Sequence, residues 1–216
     1  MNNLMQKIKI RFITNILVNL WRLSHSIKVK IAVSPKELEE VFHLRWEIYI
    51  ECGYIESQDF PDQKLKDKYD TSSLNVIAFK NNVPVGTVRL ILSSEQGFPT
   101  ERAFNILNFN FPRNEVGEIS KLGVKKNYKK NNFRKKIFII LISEIYKLSK
   151  KNKINYWLIG IPPFLKNYIE KLNFHVSFQE LKTGPLKLEN VEERKTAKKY
   201  FENYQITPFL INIQKL

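Results

Sequence analysis

The chain contains little cysteine and little glycine. Its 216 residues include one Cys, at position 52, and seven Gly. One cysteine cannot form an intramolecular disulfide, and no group of Cys and His has the spacing of a zinc site, so we expect a reducing, cytoplasmic setting and no bound metal. The longest apolar runs, such as residues 137–142, are much shorter than the ~20 residues that span a bilayer. We therefore expect no transmembrane helix.

Acidic residues are also scarce. The chain has 36 Lys and Arg against 21 Asp and Glu, a formal net charge of +15. Such a charge favours an acidic partner, which is a nucleic acid, an anionic membrane surface or an acidic protein. Biased base composition also produces lysine-rich chains without selection for binding. The sequence has no RNA-binding aromatic motif, zinc finger or glycine-rich KH-type loop, so we do not expect a nucleic-acid partner.

The first 26 residues are predicted to form an amphipathic helix that precedes the main domain at 27–216. Apolar residues recur at helical spacing, and Lys and Arg lie between them. Two interpretations stay open. Residues 1–24 could make peripheral contact with a membrane surface, or the helix could pack on the domain.

Strand and helix patterns alternate along the rest of the chain. Runs rich in β-branched residues predict strands at 27–33, 74–79, 83–92, 116–124, 154–159, 175–180 and 206–213. Helices are predicted at 35–52, from 132 to about 148, at 162–172 and at about 189–203. The fold class is therefore α/β (or α+β), a single domain with a mixed central sheet flanked by helices.

Two charged residues lie inside apolar, strand-like runs. Arg89 belongs to the run VGTVRL at 85–90, and Glu118 begins the run EISKLGV at 118–124. Burying a charge costs several kcal/mol unless it is paired or used in chemistry. Asp67 and Asp70 directly precede a predicted strand and carry the opposite charge to Arg89. A structural ion-pair network and a catalytic site are both consistent with this pattern.

The order of these charged residues resembles a known group of enzymes. Arg45, Asp67, Asp70, Arg89 and Glu118 follow one another as in the acyl-homoserine-lactone synthases. They are more similar to the N-acyl amino acid synthases, including the acyltransferases associated with exosortase systems. The segment FPTER at 98–102 is similar to the exosortase-associated branch. The resemblance covers residues 45–142 and implies a domain of the Gcn5-related N-acetyltransferase (GNAT) superfamily.

The resemblance implies transfer of a fatty acyl group from an acyl carrier protein thioester to the amine of an amino acid or similar metabolite. The co-substrate would be an acyl-phosphopantetheine, carried by acyl carrier protein or by CoA, and no cofactor would be bound permanently. The alternative enzyme is an acyl-homoserine-lactone synthase, and the non-enzyme alternative is a basic module that binds nucleic acid or a membrane surface. The predicted acceptor-binding residues are Arg45, Asp67, Asp70, Ser120 and Lys121. Lys121 departs from the family, which usually has Arg there, and Lys cannot bind a carboxylate through two parallel hydrogen bonds.

The predicted catalytic residues are Glu118, Arg89 and Leu122. An ammonium group is not a nucleophile, so the acceptor must lose a proton, and a buried carboxylate with a raised pKa, here Glu118, can take it. A backbone N–H of Leu122 or Gly123 could stabilise the oxyanion formed from the thioester. Arg89 could bind the acceptor carboxylate or pair with Asp70, while Asp67 could contact the acceptor ammonium.

The segment after this strand is strongly basic and has no glycine. It reads KKNYKKNNFRKK at 125–136. The missing glycine disfavours close backbone approach to a CoA pyrophosphate. A basic surface would instead attract an acidic carrier protein, although a solvated lysine run is the simpler interpretation. The predicted donor and carrier-binding residues are Val124, Lys125, Lys126, Lys129, Lys130, Arg134 and Lys135.

Overall fold

A computed structural model of the chain describes residues 18–20, 22, 26–107, 109–127, 132–172, 176–185 and 204–215. Three sequence-based predictions lie outside these ranges, namely most of the N-terminal helix, the helix at 189–203, and Lys129 with Lys130. No helix within the described ranges has both the length and the apolar character to cross a membrane.

Seven strands form one mixed sheet in the order β1-β2-β3-β4-β5-β7-β6. β4 and β5 run parallel, and every other neighbouring pair is antiparallel. The strands are β1 (Ile27–Ala32), β2 (Ser73–Lys80), β3 (Val83–Leu92), β4 (Val116–Val124), β5 (Tyr156–Ile161), β6 (Phe178–Glu180) and β7 (Thr207–Asn212). The predicted α/β fold class is confirmed.

Four helices lie within the described ranges, α1 (Pro35–Cys52), α2 (Pro99–Phe104), α3 (Phe133–Lys151) and α4 (Pro163–Lys171). α1 begins with a capping box between Ser34 and Glu37 and ends at Gly53, whose φ is +73°. A left-handed residue at this position satisfies the last carbonyls of a helix at no cost when it is glycine. The capping and proline signals therefore placed α1 correctly.

The helices cover both faces of the sheet. Apolar residues of α3, including Ile137 and Leu141, join a large buried cluster with Val88 of β3. On the opposite face, Ile48 of α1 packs in a second cluster with Ile77 of β2. A Cβ on Gly123 of β4 would lie 2.7 Å from Ile48 Cγ2. Glycine at this position thus allows α1 to approach the sheet closely.

The parallel pair β4 and β5 separates partway along its length. Val116, Gly117 and Glu118 pair with Tyr156, Trp157 and Leu158. Beyond Glu118, β4 continues to Val124 without pairing with β5, and β5 continues to Ile161. We call this opening the β4–β5 split. It begins at Glu118, the buried acid singled out from the sequence.

Several predicted boundaries were wrong. The strand predicted at 154–159 begins at Tyr156, because Ile154 still belongs to the turn after α3 and donates its N–H to Ser149 O. Ile154 is apolar because it is buried beneath that turn. The strand predicted from 175 is described only from Phe178. Sequence analysis missed α2, the shortest helix.

A small part of the N-terminal segment is described. Val18 is buried in the main core cluster, and Arg22 Nη1 lies 3.9 Å from Glu144 Oε2 on α3. These two contacts favour packing of this part of the segment on the domain. Asn19 and Leu20 are also described and are exposed, and the remaining residues predicted to contact a membrane surface lie outside the described ranges.

Candidate active site

A β-bulge in β4 shapes the site. Arg89 pairs with Ser120 and Thr87 pairs with Gly123, so two residues of β4, Lys121 and Leu122, lie opposite the single residue Val88. Lys121 has a φ of +51°, a conformation that costs a non-glycine residue ~1–2 kcal/mol. Bulges of this kind redirect side chains. Here the bulge lies beside the β4–β5 split.

Arg89 lies at the centre of a buried group of charges. Its Nη1 and Nη2 donate to the two carboxylate oxygens of Asp67, at 2.6 and 3.0 Å. Nη1 also lies 3.2 Å from Asp70 Oδ1, and Nε donates to Ser120 Oγ at 2.8 Å. All its guanidinium nitrogens are therefore engaged. Of the two predicted roles of Arg89, pairing with Asp70 is the one that the structure contains.

Arg45 supports this group from α1. It donates through Nη1 to Asp70 Oδ1 at 2.8 Å and through Nη2 to Asn75 Oδ1. Arg45 is 0% exposed, so the prediction that it binds the acceptor needs correction. A side chain with no exposed surface cannot touch a substrate in this conformation, and Arg45 instead holds Asp70.

A short turn presents the two aspartates together. Asp67 precedes the 3-10 helix Lys68–Ser72 and accepts a hydrogen bond from Tyr69 N, while Asp70 Oδ2 accepts one from Asp67 N. β2 begins directly afterwards, at Ser73. This reciprocal capping fixes both carboxylates at the end of a central strand. The spacing of three residues is therefore a local structural requirement as well as a charge pattern.

Lys121 is the least paired cation of the site. Its Nζ lies 3.8 Å from Asp67 Oδ2 and 5.1 Å from the centre of the Tyr49 ring. Its side chain is 12% exposed. Burial lowers the pKa of Lys121 to about 8, even though the charge of Asp67 acts in the opposite direction. We refer to Arg45, Asp67, Asp70, Arg89 and Lys121 as the ion-pair cluster.

The two aspartates of the cluster remain ionised. Burial alone would raise the pKa of Asp67, but the positive charges of Arg89 and Lys121 outweigh burial and hold it well below its usual range. The pKa of Asp70 is lowered for the same reason, chiefly by Arg45 and Arg89. Opposite charges at this distance favour the charged form.

Glu118 lies on the same face of β4 as Ser120, in a different environment. Its carboxylate is 3% exposed and accepts two hydrogen bonds from Thr100, from N at 3.0 Å and from Oγ1 at 2.8 Å. Burial raises the pKa of Glu118 to about 8, and the Thr100 hydrogen bonds and the charge of Arg89 only partly oppose the rise. A carboxylate with such a pKa is suited to take a proton near neutral pH.

Thr100 was not identified as a site residue from the sequence. Pro99 before it is a helix-start signal, because proline is favoured at the first helical position. That signal could have indicated α2 (Pro99–Phe104), which sequence analysis missed. No local pattern indicates that Thr100 faces Glu118, which is 18 residues away in the chain.

The basic segment after β4 is less uniformly exposed than its sequence indicates. Lys125 Nζ lies 2.8 Å from Glu47 Oε2, and the backbone N–H of Lys126 donates to Glu51 Oε2 at 2.9 Å. Val124 is buried, and its part in donor binding stays a prediction. Arg134 and Lys135 are exposed at the start of α3.

The described residues include no group of three or more His, Cys, Asp or Glu side chains that could hold a metal ion. The candidate site consists of the ion-pair cluster, Glu118 and the β4–β5 split.

Comparison with known proteins identifies one family. The sequence pattern of the family described as N-acyl amino acid synthase FeeM matches residues 40–185, a range that includes the ion-pair cluster and Glu118. No curated protein sequence matches the chain.

Solved structures of three synthases share the fold. FeeM, an N-acyl amino acid synthase from uncultured soil microbes, is 16% identical with a TM-score of 0.56, covering 86% of this chain and 88% of its own. The acyl-homoserine-lactone synthase LasI is 13% identical with a TM-score of 0.60, covering 86% and 89%. The CoA-dependent acyl-homoserine lactone synthase BjaI, solved with SAM and isopentyl-CoA, is 16% identical with a TM-score of 0.62, covering 87% and 82%. The resemblance stated from the sequence is confirmed.

Proposed function

The chain belongs to the N-acyl amino acid synthase family, and we propose that it transfers a fatty acyl group from an acyl carrier protein to the amine of an acceptor that carries a carboxylate. The family makes the chain an acyltransferase. The observation that carries the proposed acceptor class is the charge of the ion-pair cluster. It contains three cations and two carboxylates in a buried setting.

The surplus charge supports an anionic group on the acceptor. Arg45 and Arg89 form close ion pairs with Asp70 and Asp67, at 2.8 and 2.6 Å, whereas Lys121 Nζ lies 3.8 Å from Asp67 Oδ2. Glu118 does not balance Lys121 at neutral pH, since its pKa of about 8 keeps it mainly protonated. An acceptor carboxylate would neutralise Lys121, and an unneutralised buried charge costs several kcal/mol. Lys121 and Asp67, whose side chains are 12% and 27% exposed, are the members of the cluster that a substrate can reach.

Glu118 is the proposed base. It takes one proton from the acceptor ammonium, and the free amine attacks the carbonyl carbon of the thioester. The tetrahedral intermediate collapses with cleavage of the C–S bond, and the leaving thiolate takes the second amine proton. The products are an amide and a free phosphopantetheine thiol, and Glu118 returns its proton to solvent. General-base catalysis of this kind contributes typically ~10²–10⁴-fold.

The thioester is proposed to bind at the β4–β5 split. Leu122 and Gly123 lie in the part of β4 that is not paired with β5 and are partly exposed. An N–H of either residue is the proposed donor to the oxyanion. Such donors are effective because they are fixed before the charge develops.

The proposed donor is an acidic carrier protein. Arg134 and Lys135 extend the basic surface beyond Lys126 and beyond Lys125, which is paired with Glu47. The overall charge of +15 would attract an acidic partner over a long range. The acyl-phosphopantetheine itself is then a co-substrate that enters at the β4–β5 split.

The test uses the purified full chain with acyl carrier protein, acyl-CoA and acyl-pantetheine as donors and a panel of amino acids as acceptors. We expect thiol release that depends on the acceptor, and an N-acyl amino acid detected by mass spectrometry. A lactone product formed with S-adenosylmethionine would favour the homoserine-lactone alternative instead. Binding of nucleic acid without thiol release would overturn the enzymatic proposal.

The carrier protein is tested by charge reversal at two ends of one helix. Arg134→Glu with Lys135→Glu should slow turnover of the carrier donor much more than turnover of acyl-pantetheine. Lys150→Glu with Lys151→Glu is the matched control, because it makes the same charge change at exposed positions in the last turn of α3. Equal losses in both pairs, or equal losses with both donors, would argue against carrier docking at this surface.

A further inference from the structure

Thr100 donates hydrogen bonds to both carboxylate oxygens of Glu118. Its backbone N–H donates to one carboxylate oxygen and its hydroxyl donates to the other, at 3.0 and 2.8 Å. Thr100 is itself 6% exposed. Two donors from one residue fix the plane of a carboxylate as well as its position, because each oxygen is held in its own direction.

The fold leaves room for Thr100 at the start of the β4–β5 split. A Cβ built on Gly160 of β5 would lie 3.3 Å from Thr100 Oγ1 and 3.5 Å from Thr100 Cγ2. Gly160 lies just beyond Leu158, the last residue of β5 that pairs with β4. Thr100 therefore lies between Glu118 on one strand and Gly160 on the next, where the two strands begin to separate.

We propose that Thr100 is a positioning residue that orients Glu118 and sets its affinity for the proton taken from the acceptor. This inference rests on the proposed function, in which Glu118 is the base. A hydrogen bond donated to a carboxylate stabilises its charged form. The Thr100 hydroxyl thus favours the basic form of Glu118 without introducing a charge.

The other groups that act on Glu118 come from two different elements. Arg89 of β3 favours the charged carboxylate, while Asp67, before β2, disfavours it. These two residues are paired with each other through two hydrogen bonds. Their opposite effects on Glu118 partly cancel, which leaves Thr100 as the main neutral stabiliser of the charged form.

The test is the pH dependence of kcat/KM for Thr100→Val. The variant keeps the backbone N–H and the shape of the side chain but loses the hydroxyl donor. Hydrogen bonds to charged groups are worth enough to move a pKa by about one unit, so the acid limb of the profile should move about one unit towards alkaline pH, with a rate loss of about tenfold at pH 7. Thr100→Ser should restore the wild-type limb.

Two further variants separate positioning from loss of packing. Gly160→Ala brings a methyl group against Thr100, and it should move the same limb in the same direction by a smaller amount. In the Thr100→Val background Gly160→Ala should move it no further. Thr87→Val is the matched control, because it also removes a buried hydroxyl donor, which in the wild type bonds to Val76 O at 3.0 Å. Its acid limb should stay at the wild-type pH.

A direct titration distinguishes failure of this inference from failure of the proposed function. The ¹³C signal of the Glu118 carboxyl, assigned by its absence in Glu118→Gln, reports ionisation without any substrate. A higher titration midpoint in Thr100→Val than in wild type and Thr100→Ser supports the inference even if the acceptor class is wrong. Equal midpoints in all three proteins would overturn it even if acyl transfer is demonstrated.

Discussion

Two buried acidic sites on the same face of the sheet behave in opposite ways. Asp67 and Asp70 are surrounded by Arg45, Arg89 and Lys121, and their pKa values are lowered. Glu118 is two residues from Ser120, the partner of Arg89 Nε, yet its pKa is raised to about 8. Burial opposes the charged form in both places. The difference arises from the partners.

Charged partners outweigh burial, whereas the neutral donors of Thr100 do not. Asp67 and Asp70 therefore stay ionised at ordinary pH values, whereas Glu118 exchanges a proton near neutrality. Sites of acid–base chemistry commonly hold neighbouring groups whose environments drive their pKa values apart. In the proposed mechanism, the ion-pair cluster stabilises the fold and binds the acceptor, and Glu118 transfers the proton.

The largest expected effect comes from Glu118→Gln, which removes the proton acceptor and keeps the shape. Acyl transfer should fall by at least ~10²-fold, measured as thiol release by the purified variant. The fold should survive. Because the folded-state pKa of Glu118 is raised above its usual value, wild-type stability decreases as pH rises from about 4.5 to about 8.

Glu118→Gln lacks this decrease, so its Tm should exceed that of wild type at pH 8 and approach it at pH 4. A variant that retains wild-type turnover would remove Glu118 from the mechanism. A variant with a lower Tm at pH 8 would show that the carboxylate is charged and stabilising.

The next effect concerns stability. Asp70→Asn removes a carboxylate that contacts both Arg45 and Arg89, which leaves the buried Arg45 without its ion-pair partner and Arg89 with Asp67 alone. Breaking a buried pair from one side costs ~3–5 kcal/mol. Urea unfolding at pH 7 should detect this loss. The loss should shrink as pH falls below the usual Asp pKa. There the unfolded wild-type chain binds a proton at Asp70 before the folded protein does, so Asp70 contributes less to wild-type stability.

A loss below ~1 kcal/mol at pH 7 would mean that solvent reaches the cluster more freely than its burial indicates. Asp70→Asn and Glu118→Gln are best compared at pH 8. Each substitution removes one carboxylate from the same face of the sheet, but Asp70→Asn should lower the stability of the fold and Glu118→Gln should raise it.

A smaller effect is expected on the pH dependence of kcat/KM when Lys121 is replaced by arginine, the residue that the family usually has. With Glu118 and Lys121 both at a pKa of about 8, wild-type kcat/KM should rise with deprotonation of Glu118 and fall with deprotonation of Lys121, giving a narrow maximum near pH 8. Lys121→Arg keeps its charge at alkaline pH, so the alkaline limb should disappear with about a tenfold gain at pH 9.

Lys121→Ala is the matched loss of charge, and it should raise the acceptor KM more than it lowers kcat. If all three proteins show the same alkaline limb, Lys121 does not bind the acceptor.

The sequence predicted the fold and most of the site, for physical reasons that differ between residues. Arg89 and Glu118 were found because a charge within an apolar strand demands a partner, and α1 was found because Ser34, Pro35 and Glu37 form a local start signal. Thr100 and the β-bulge at Lys121 were not found. Both depend on contacts between segments distant in the chain, which no local pattern encodes.

The burial of Arg45 was missed for a related reason. From the sequence, Arg45 is only a charged side chain on a predicted helix. Its partners Asp70 and Asn75 come from a turn and from β2, so its burial depends on contacts between distant segments. Likewise, Glu47 of α1 pairs with Lys125 and neutralises part of the basic segment. Charge runs in sequence therefore overstate the charge that a folded surface presents.

The smallest expected effect concerns the helix cap at Glu37, a carboxylate that is partly exposed. Glu37 accepts hydrogen bonds from the backbone N–H groups of Val33 and Ser34, as Glu118 does from Thr100, yet its pKa is lowered to about 2. Lys30 Nζ, 3.0 Å from Glu37 Oε1, adds a charged donor. The neutral and charged donors together thus outweigh burial at Glu37.

Ser34→Ala removes the other half of this capping box, the hydrogen bond from Glu37 N to Ser34 Oγ. We expect a loss of about 1 kcal/mol, or a Tm decrease of about 2–4 °C for a domain of this size, with catalysis unchanged because α1 begins far along the chain from Arg45. Ser34→Asp, which retains a capping oxygen, is the control and should keep the wild-type Tm. A loss as large as that of Asp70→Asn would mean that the start of α1 controls the ion-pair cluster through Arg45, and the separation between surface capping and buried pairing would then not hold.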